Sequence, residues 1–135
     1  VDAKRLFIAG HSIGGTLTLL AAETTDRFKA GASFSASADQ VIYCKHGINP
    51  SQVPFDVKDK RELEMRSPLA YAASFKCPVR MYYGTGEPHF HLSTQKTAEV
   101  ATSHRCDVAA LRIEGGHDSE VPEAMMKSIE FFKGK

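Results

Sequence analysis

Apolar residues fall along this chain in short bursts separated by glycine- and proline-rich breaks. Leu6-Phe7-Ile8-Ala9 follows Lys4-Arg5 and stops at Gly10, so residues 4–9 read as a first strand. After a glycine-rich turn, residues 16–24 place Leu17, Leu20 and Ala21 at helical spacing. Residues 30–34 read as a second, buried strand, and residues 78–83 as a third, closed by Gly84 and Gly86. Residues 92–103 read as a helix, and residues 108–113 as a fourth strand ending at Gly115-Gly116. Residues 121–132 close the chain as a helix, with Pro122 at its start and Met125, Met126, Ile129 and Phe132 sharing a face.

Strands alternating with helices predict an α/β fold, a parallel sheet of about four strands with flanking helices. Residues 39–69 break the rhythm. They carry Pro50, Pro54 and Pro68 and a charged cluster over 58–66, too long a stretch for a simple connector. They are expected to form an excursion over the active-site edge of the sheet, with a helix near 60–65. The full 135 residues suit a single domain with one core.

Composition narrows the functional classes. With 42% hydrophobic and 24% charged residues the chain is that of an ordinary globular protein. Lys and Arg total 17 against 16 Asp and Glu, a net charge of +1, so no global field attracts nucleic acid or an anionic membrane. The longest apolar run, residues 13–22, is broken by glycines and threonines and is too short to span a bilayer. Cys44, Cys77 and Cys106 are sparse and odd in number, with no C-x-x-C pair. That favours reduced thiols and a cytoplasmic setting over a disulfide framework or a zinc site.

The chemistry begins where the first strand runs into Gly10-His11-Ser12-Ile13-Gly14-Gly15 and then a helix. This is G-x-S-x-G in the strand–turn–helix setting that a nucleophilic serine requires. The hydroxyl must project from a turn so tight that its backbone is strained, and Gly10 and Gly14 are expected to give the clearance. The following helix aims unpaired N–H groups at any oxyanion formed there, with the Ile13 N–H nearest. A phosphate loop would need a lysine at the turn, and a dinucleotide loop would need G-x-G-x-x-G; neither is present.

A serine hydroxyl needs a general base. Of the histidines at 11, 46, 89, 91, 104 and 117, His117 follows the fourth strand through Gly115-Gly116, at the sheet edge shared with Ser12. His11 and His89 are expected to line the substrate entrance, although the tight turn also suits His11 to packing. The base needs a carboxylate. Glu87, on the turn after the third strand, is the first choice; Asp39, beyond the second strand, is the alternative acid.

The order Ser12, Glu87, His117 resembles the nucleophile–acid–base order of the α/β-hydrolase fold. Residues 1–15, residues 66–71 with 76–87, and Ile113-Glu114-Gly115-Gly116-His117 resemble the elbow, acid segment and histidine loop of its prolyl-oligopeptidase-like and dienelactone-hydrolase-like members. The resemblance implies strands five to eight of that fold. It also implies ester, thioester or peptide-bond hydrolysis through a Ser-His-Glu triad and an acyl-enzyme, with neither cofactor nor metal. Two departures stand out: the acid position usually holds Asp, and the dienelactone hydrolases use Cys where Ser12 stands. Eleven residues precede Ser12, too few for the loop that supplies the family's second oxyanion donor. With Val1 in place of an initiator Met, this implies the C-terminal half of something longer. The strand over Lys4 to Ala9 would then be an open edge, expected to pair with a missing N-terminal half or in a homodimer. The competing class is a non-catalytic half-domain or scaffold that needs such an N-terminal partner.

Overall fold

The structure, a computed structural model, describes residues 2, 4–45, 51 and 53–135. Val1, His46 and Pro50 lie outside the described residues. Four strands, β1 (Phe7–His11), β2 (Ala30–Phe34), β3 (Val79–Gly84) and β4 (Val108–Ile113), pair in sequence order, all parallel. Parallel neighbours require crossovers, and these carry the helices. Helix α1 (Ile13–Thr24) joins β1 to β2. Helices α2 (Gln40–Lys45) and α3 (Lys60–Met65), with a 3-10 turn over Pro68–Ser74, lie between β2 and β3. Helix α4 (Pro88–Ser103) joins β3 to β4, and α5 (Val121–Lys133) follows. Among the described residues no helix is long and apolar enough to cross a membrane.

Side chains on a strand alternate between faces, so the sheet builds two cores. On one face Val79, Met81 and Val108 meet Leu19 and Ala22 of α1, Ala72 and Phe75, and Ala98 and Ala101 of α4. On the other, Ala32, Phe34, Tyr82 and Ile113 pack with Ala124 and Phe132 of α5. All five residues of β2 are buried. Its small Ala-Gly-Ala-Ser run, weak as a strand by propensity, suits a position with packed neighbours on both sides and both faces.

The first strand departs from the expected 4–9. Lys4 and Arg5 lie in a turn, where the Lys4 N–H donates to Asp2 Oδ1 at 2.9 Å and the Arg5 N–H to the Asp2 carbonyl at 3.0 Å. Pairing instead continues past the apolar run, with Gly10 beside Ser33 and His11 beside Phe34. Strand order leaves β1 at one margin of the sheet. Within the excursion, Asp39 Oδ1 accepts from the Val41 and Ile42 N–H groups at 2.8 and 3.2 Å, at the start of α2. Asp59 caps α3 by accepting from Arg61 N–H at 2.8 Å.

Candidate active site

Ser12 is the single residue between β1 and α1, and the turn forces it to φ 56° and ψ −121°. A non-glycine residue rarely adopts such a backbone, which costs about 1–3 kcal/mol. The turn fits because the strand comes very close to the helix. A Cβ on Gly10 would lie 2.2 Å from the Gly14 carbonyl oxygen, and one on Gly15 2.8 Å from the Ala36 Cβ. Gly14 itself faces open space, so the clearance expected of Gly10 and Gly14 is supplied by Gly10 and Gly15. The Ser12 N–H donates to the Phe34 carbonyl at 2.9 Å, anchoring the bend to β2.

A serine ahead of a helix ordinarily accepts from an N–H of the first turn. Ser12 makes no such side-chain cap. Its hydroxyl lies 3.0 Å from His117 Nε2, and His117 Nδ1 lies 2.6 Å from Glu87 Oε1. A carboxylate only accepts, so Nδ1 carries the imidazole hydrogen and Nε2 turns its lone pair to the Ser12 O–H. Glu87, 4% exposed, ends the β3 turn and stands at the N-terminus of α4. The loops bearing Glu87 and His117 are stitched together: Thr85 N–H donates to the Ile113 carbonyl at 2.9 Å and Gly86 N–H to that of Gly115 at 2.8 Å. Gly115 N–H returns a bond to Thr85 Oγ1 at 3.1 Å.

The carboxylate that meets His117 is thus Glu87, while Asp39 is occupied in capping α2. Ile13 opens α1, where the first N–H groups have no intrahelical acceptor. A cavity of about 310 Å³ opens beside the elbow, bordered by Ser12, Ile13, Leu17, Leu20, Phe55 and Phe90. Gln40, Tyr43, Val53, Pro54 and Arg66, also from the 39–69 stretch, line the same cavity. The two histidines expected at the entrance do not line this cavity. His89 is exposed in the first turn of α4, tilted against the ring of Phe90 with centroids 4.2 Å apart. His11 extends β1, which carries its ring over the His117 loop, and its Nε2–H donates to the His117 carbonyl at 2.7 Å.

Two residues of the site carry no signal in the sequence. Ser35, at φ 43° just past β2, places its Oγ in hydrogen-bonding contact with Glu87 Oε2 and 2.9 Å from Glu120 Oε1. Glu120 stands just before α5, and it is 0% exposed. As for a metal, His11, His117 and Asp118 bring ligand atoms within 4.8 Å of one another. Both histidines of that group are already held in the hydrogen bonds above.

A parallel sheet with helices on both faces, a serine on a strained strand-to-helix bend, and acid and histidine loops in that chain order define an α/β-hydrolase. The prolyl oligopeptidase family model matches residues 1–126, and the chain belongs to that family. The chain is 32% identical over 92 residues to the uncharacterized peptidase YuxL of Bacillus subtilis, covering 62% of this chain and 14% of that protein. A Mycobacterium tuberculosis puromycin-hydrolyzing peptidase superposes with a TM-score of 0.76 at 30% identity, over 87% of this chain and 19% of its own. Acylaminoacyl peptidase of Pyrococcus horikoshii superposes with a TM-score of 0.83 at 23% identity, over 100% of this chain and 24% of its own. The chain thus spans less than a quarter of the length of each of these relatives.

Proposed function

We propose that this chain carries the reacting residues of a serine hydrolase that cleaves peptide or ester bonds through an acyl-enzyme. The observation that carries the reading is the continuous hydrogen-bond line from Ser12 Oγ to His117 at 3.0 Å and on to Glu87 at 2.6 Å. In this reading Ser12 Oγ attacks the carbonyl carbon while His117 Nε2 takes its proton. Glu87 holds the tautomer and offsets the imidazolium charge. The Ile13 N–H, at the positive end of α1, donates to the oxygen that becomes an anion. His117 returns the proton to the leaving group, the first product departs, and water activated by His117 releases the acid from Ser12.

The cavity bordered by Leu17, Leu20, Phe55 and Phe90 favours a substrate with a large apolar group beside the scissile carbonyl. The relatives' names, a puromycin-hydrolyzing peptidase and an acylaminoacyl peptidase, support peptide-like bonds. Hydrolysis of peptide nitroanilides by the full-length protein tests this. Substrates with a phenylalanyl group at the scissile carbonyl should turn over faster than glycyl ones, and His117→Ala should lower kcat by about 10⁴-fold or more. Equal rates for the wild type and His117→Ala would refute the assignment.

The outer margin of β1 is part of the same proposal. Among the described residues no further strand pairs with that margin, which suits another strand, from an N-terminal portion of the protein or from a second copy. Sedimentation of the 135-residue chain alone should show self-association; a monodisperse monomer would count against an edge that needs covering.

A further inference from the structure

The hydrogen-bond line does not stop at Glu87. Its second oxygen, Oε2, contacts Ser35 Oγ, and the same Oγ lies 2.9 Å from Glu120 Oε1. Ser35 and Glu120 are 0% exposed and Glu87 is 4% exposed, so the three groups meet away from bulk solvent. A hydroxyl has one hydrogen and an ionised carboxylate has none. With both carboxyls ionised, one of the two Ser35 contacts would set acceptor against acceptor, between like charges in a buried site. Glu120 Oε2 also has no partner among the described residues, and as part of an anion it would be buried bare.

A proton on Glu120 resolves both conflicts. Glu120 O–H then donates to Ser35 Oγ, Ser35 O–H donates to Glu87 Oε2, and Glu87 is left as the ionised acceptor of the His117 Nδ1–H. We propose that Glu120 is a positioning residue that stays protonated through neutral pH and, by way of Ser35, fixes Glu87 beneath His117 as the one charged carboxylate of the pair. The titratable groups facing Glu120 are Glu87, His11 and His117. Burial pushes the Glu120 carboxyl above the usual range, chiefly, and the Glu87 charge pushes the same way, against the Ser35 hydrogen bond and the two histidines. Ser35 is held for this task in a left-handed backbone, φ 43°, with its N–H donating to the Tyr82 carbonyl at 2.9 Å.

This inference rests on the triad reading, and its test can fail separately. Glu120→Gln keeps a donor toward Ser35 without a titrating proton, whereas Glu120→Ala and Ser35→Ala break the line. In the full-length protein, NMR titration of the His117 ring and steady-state hydrolysis are measured for each variant. Glu120→Gln should keep kcat at neutral pH within about threefold, and Ser35→Ala and Glu120→Ala should lower it about tenfold or more with KM little changed. The His117 titration midpoint should be the same in wild type and Glu120→Gln. A midpoint lowered by more than about half a pH unit in Glu120→Gln would mean that a negative charge had been removed, overturning the proposal. So would Ser35→Ala and Glu120→Ala variants as fast as wild type. Should Glu120→Ala fail to fold, Ser35→Ala and the Glu120→Gln titration still decide. A wild type that hydrolyses nothing would defeat the triad reading, leaving the titration to test the proton on Glu120.

Discussion

The Nε2–H of His11 donates to the backbone carbonyl of His117 across 2.7 Å, and the two rings lie 4.6 Å apart. The residue immediately before the serine thus holds the loop that carries the histidine. A carbonyl accepts only, so His11 serves as a donor in this contact.

Replacing His11 should therefore disturb the Ser12–His117 distance more than the fold. His11→Ala is expected to lower kcat about tenfold through a loosened loop, and His11→Gln, which keeps a side-chain donor, should recover part of it. Steady-state kinetics with thermal melts separates this from simple destabilisation: a kcat loss with an unchanged melting temperature is the expected pattern.

The two glycines flanking Ser12 should respond oppositely to alanine. Gly10→Ala puts a methyl 2.2 Å from the Gly14 carbonyl oxygen, a backbone atom that cannot swing aside. A loss of about 3 kcal/mol or more in denaturant stability is expected. Gly14 lies in α1 with no heavy atom near its missing Cβ, so Gly14→Ala should be neutral or stabilise the helix by about 1 kcal/mol.

Glu23 makes stability depend on pH. It is 3% exposed, neither carboxylate oxygen has a partner among the described residues, and burial pushes its carboxyl up to about 8. The folded state then holds a proton that the unfolded chain releases at a lower pH. Its contribution is fully present at pH 4.5 and below, and is lost as pH rises toward 8. Within that window the loss is about 1.4 kcal/mol per pH unit. Urea titrations of wild type and Glu23→Gln should diverge as pH rises from 5 to 8, with the glutamine variant the more stable at the upper end. Parallel curves across that range would show that Glu23 does not titrate there.

How far the sequence foretold this molecule depended on how local each cause was. Strands β2, β3 and β4 were legible because each is a short apolar run stopped by glycine or polar residues, and their bounds differ from expectation by at most a residue. Strand β1 was displaced because its pairing with Ser33 and Phe34 carries through Gly10 and His11, where the hydrophobic pattern had ended. Helix α1 begins three residues before its expected start at residue 16, since Ile13-Gly14-Gly15 looks like a turn until the elbow forces it to coil. The meeting of Ser12, Glu87 and His117 was legible because each sits just past a strand, where open parallel sheets gather their loops. That of Ser35 and Glu120 was not. A serine after a strand and a glutamate before a helix are ordinary surface residues until tertiary packing removes their water.

The most direct test is covalent labelling of the full-length protein with a fluorophosphonate, followed by mapping of the adduct by mass spectrometry. The account predicts a single phosphonylated peptide carrying the modification on Ser12, absent in Ser12→Ala and greatly slowed in His117→Ala. A folded wild-type protein left unlabelled, or labelled equally in the His117→Ala variant, would contradict it.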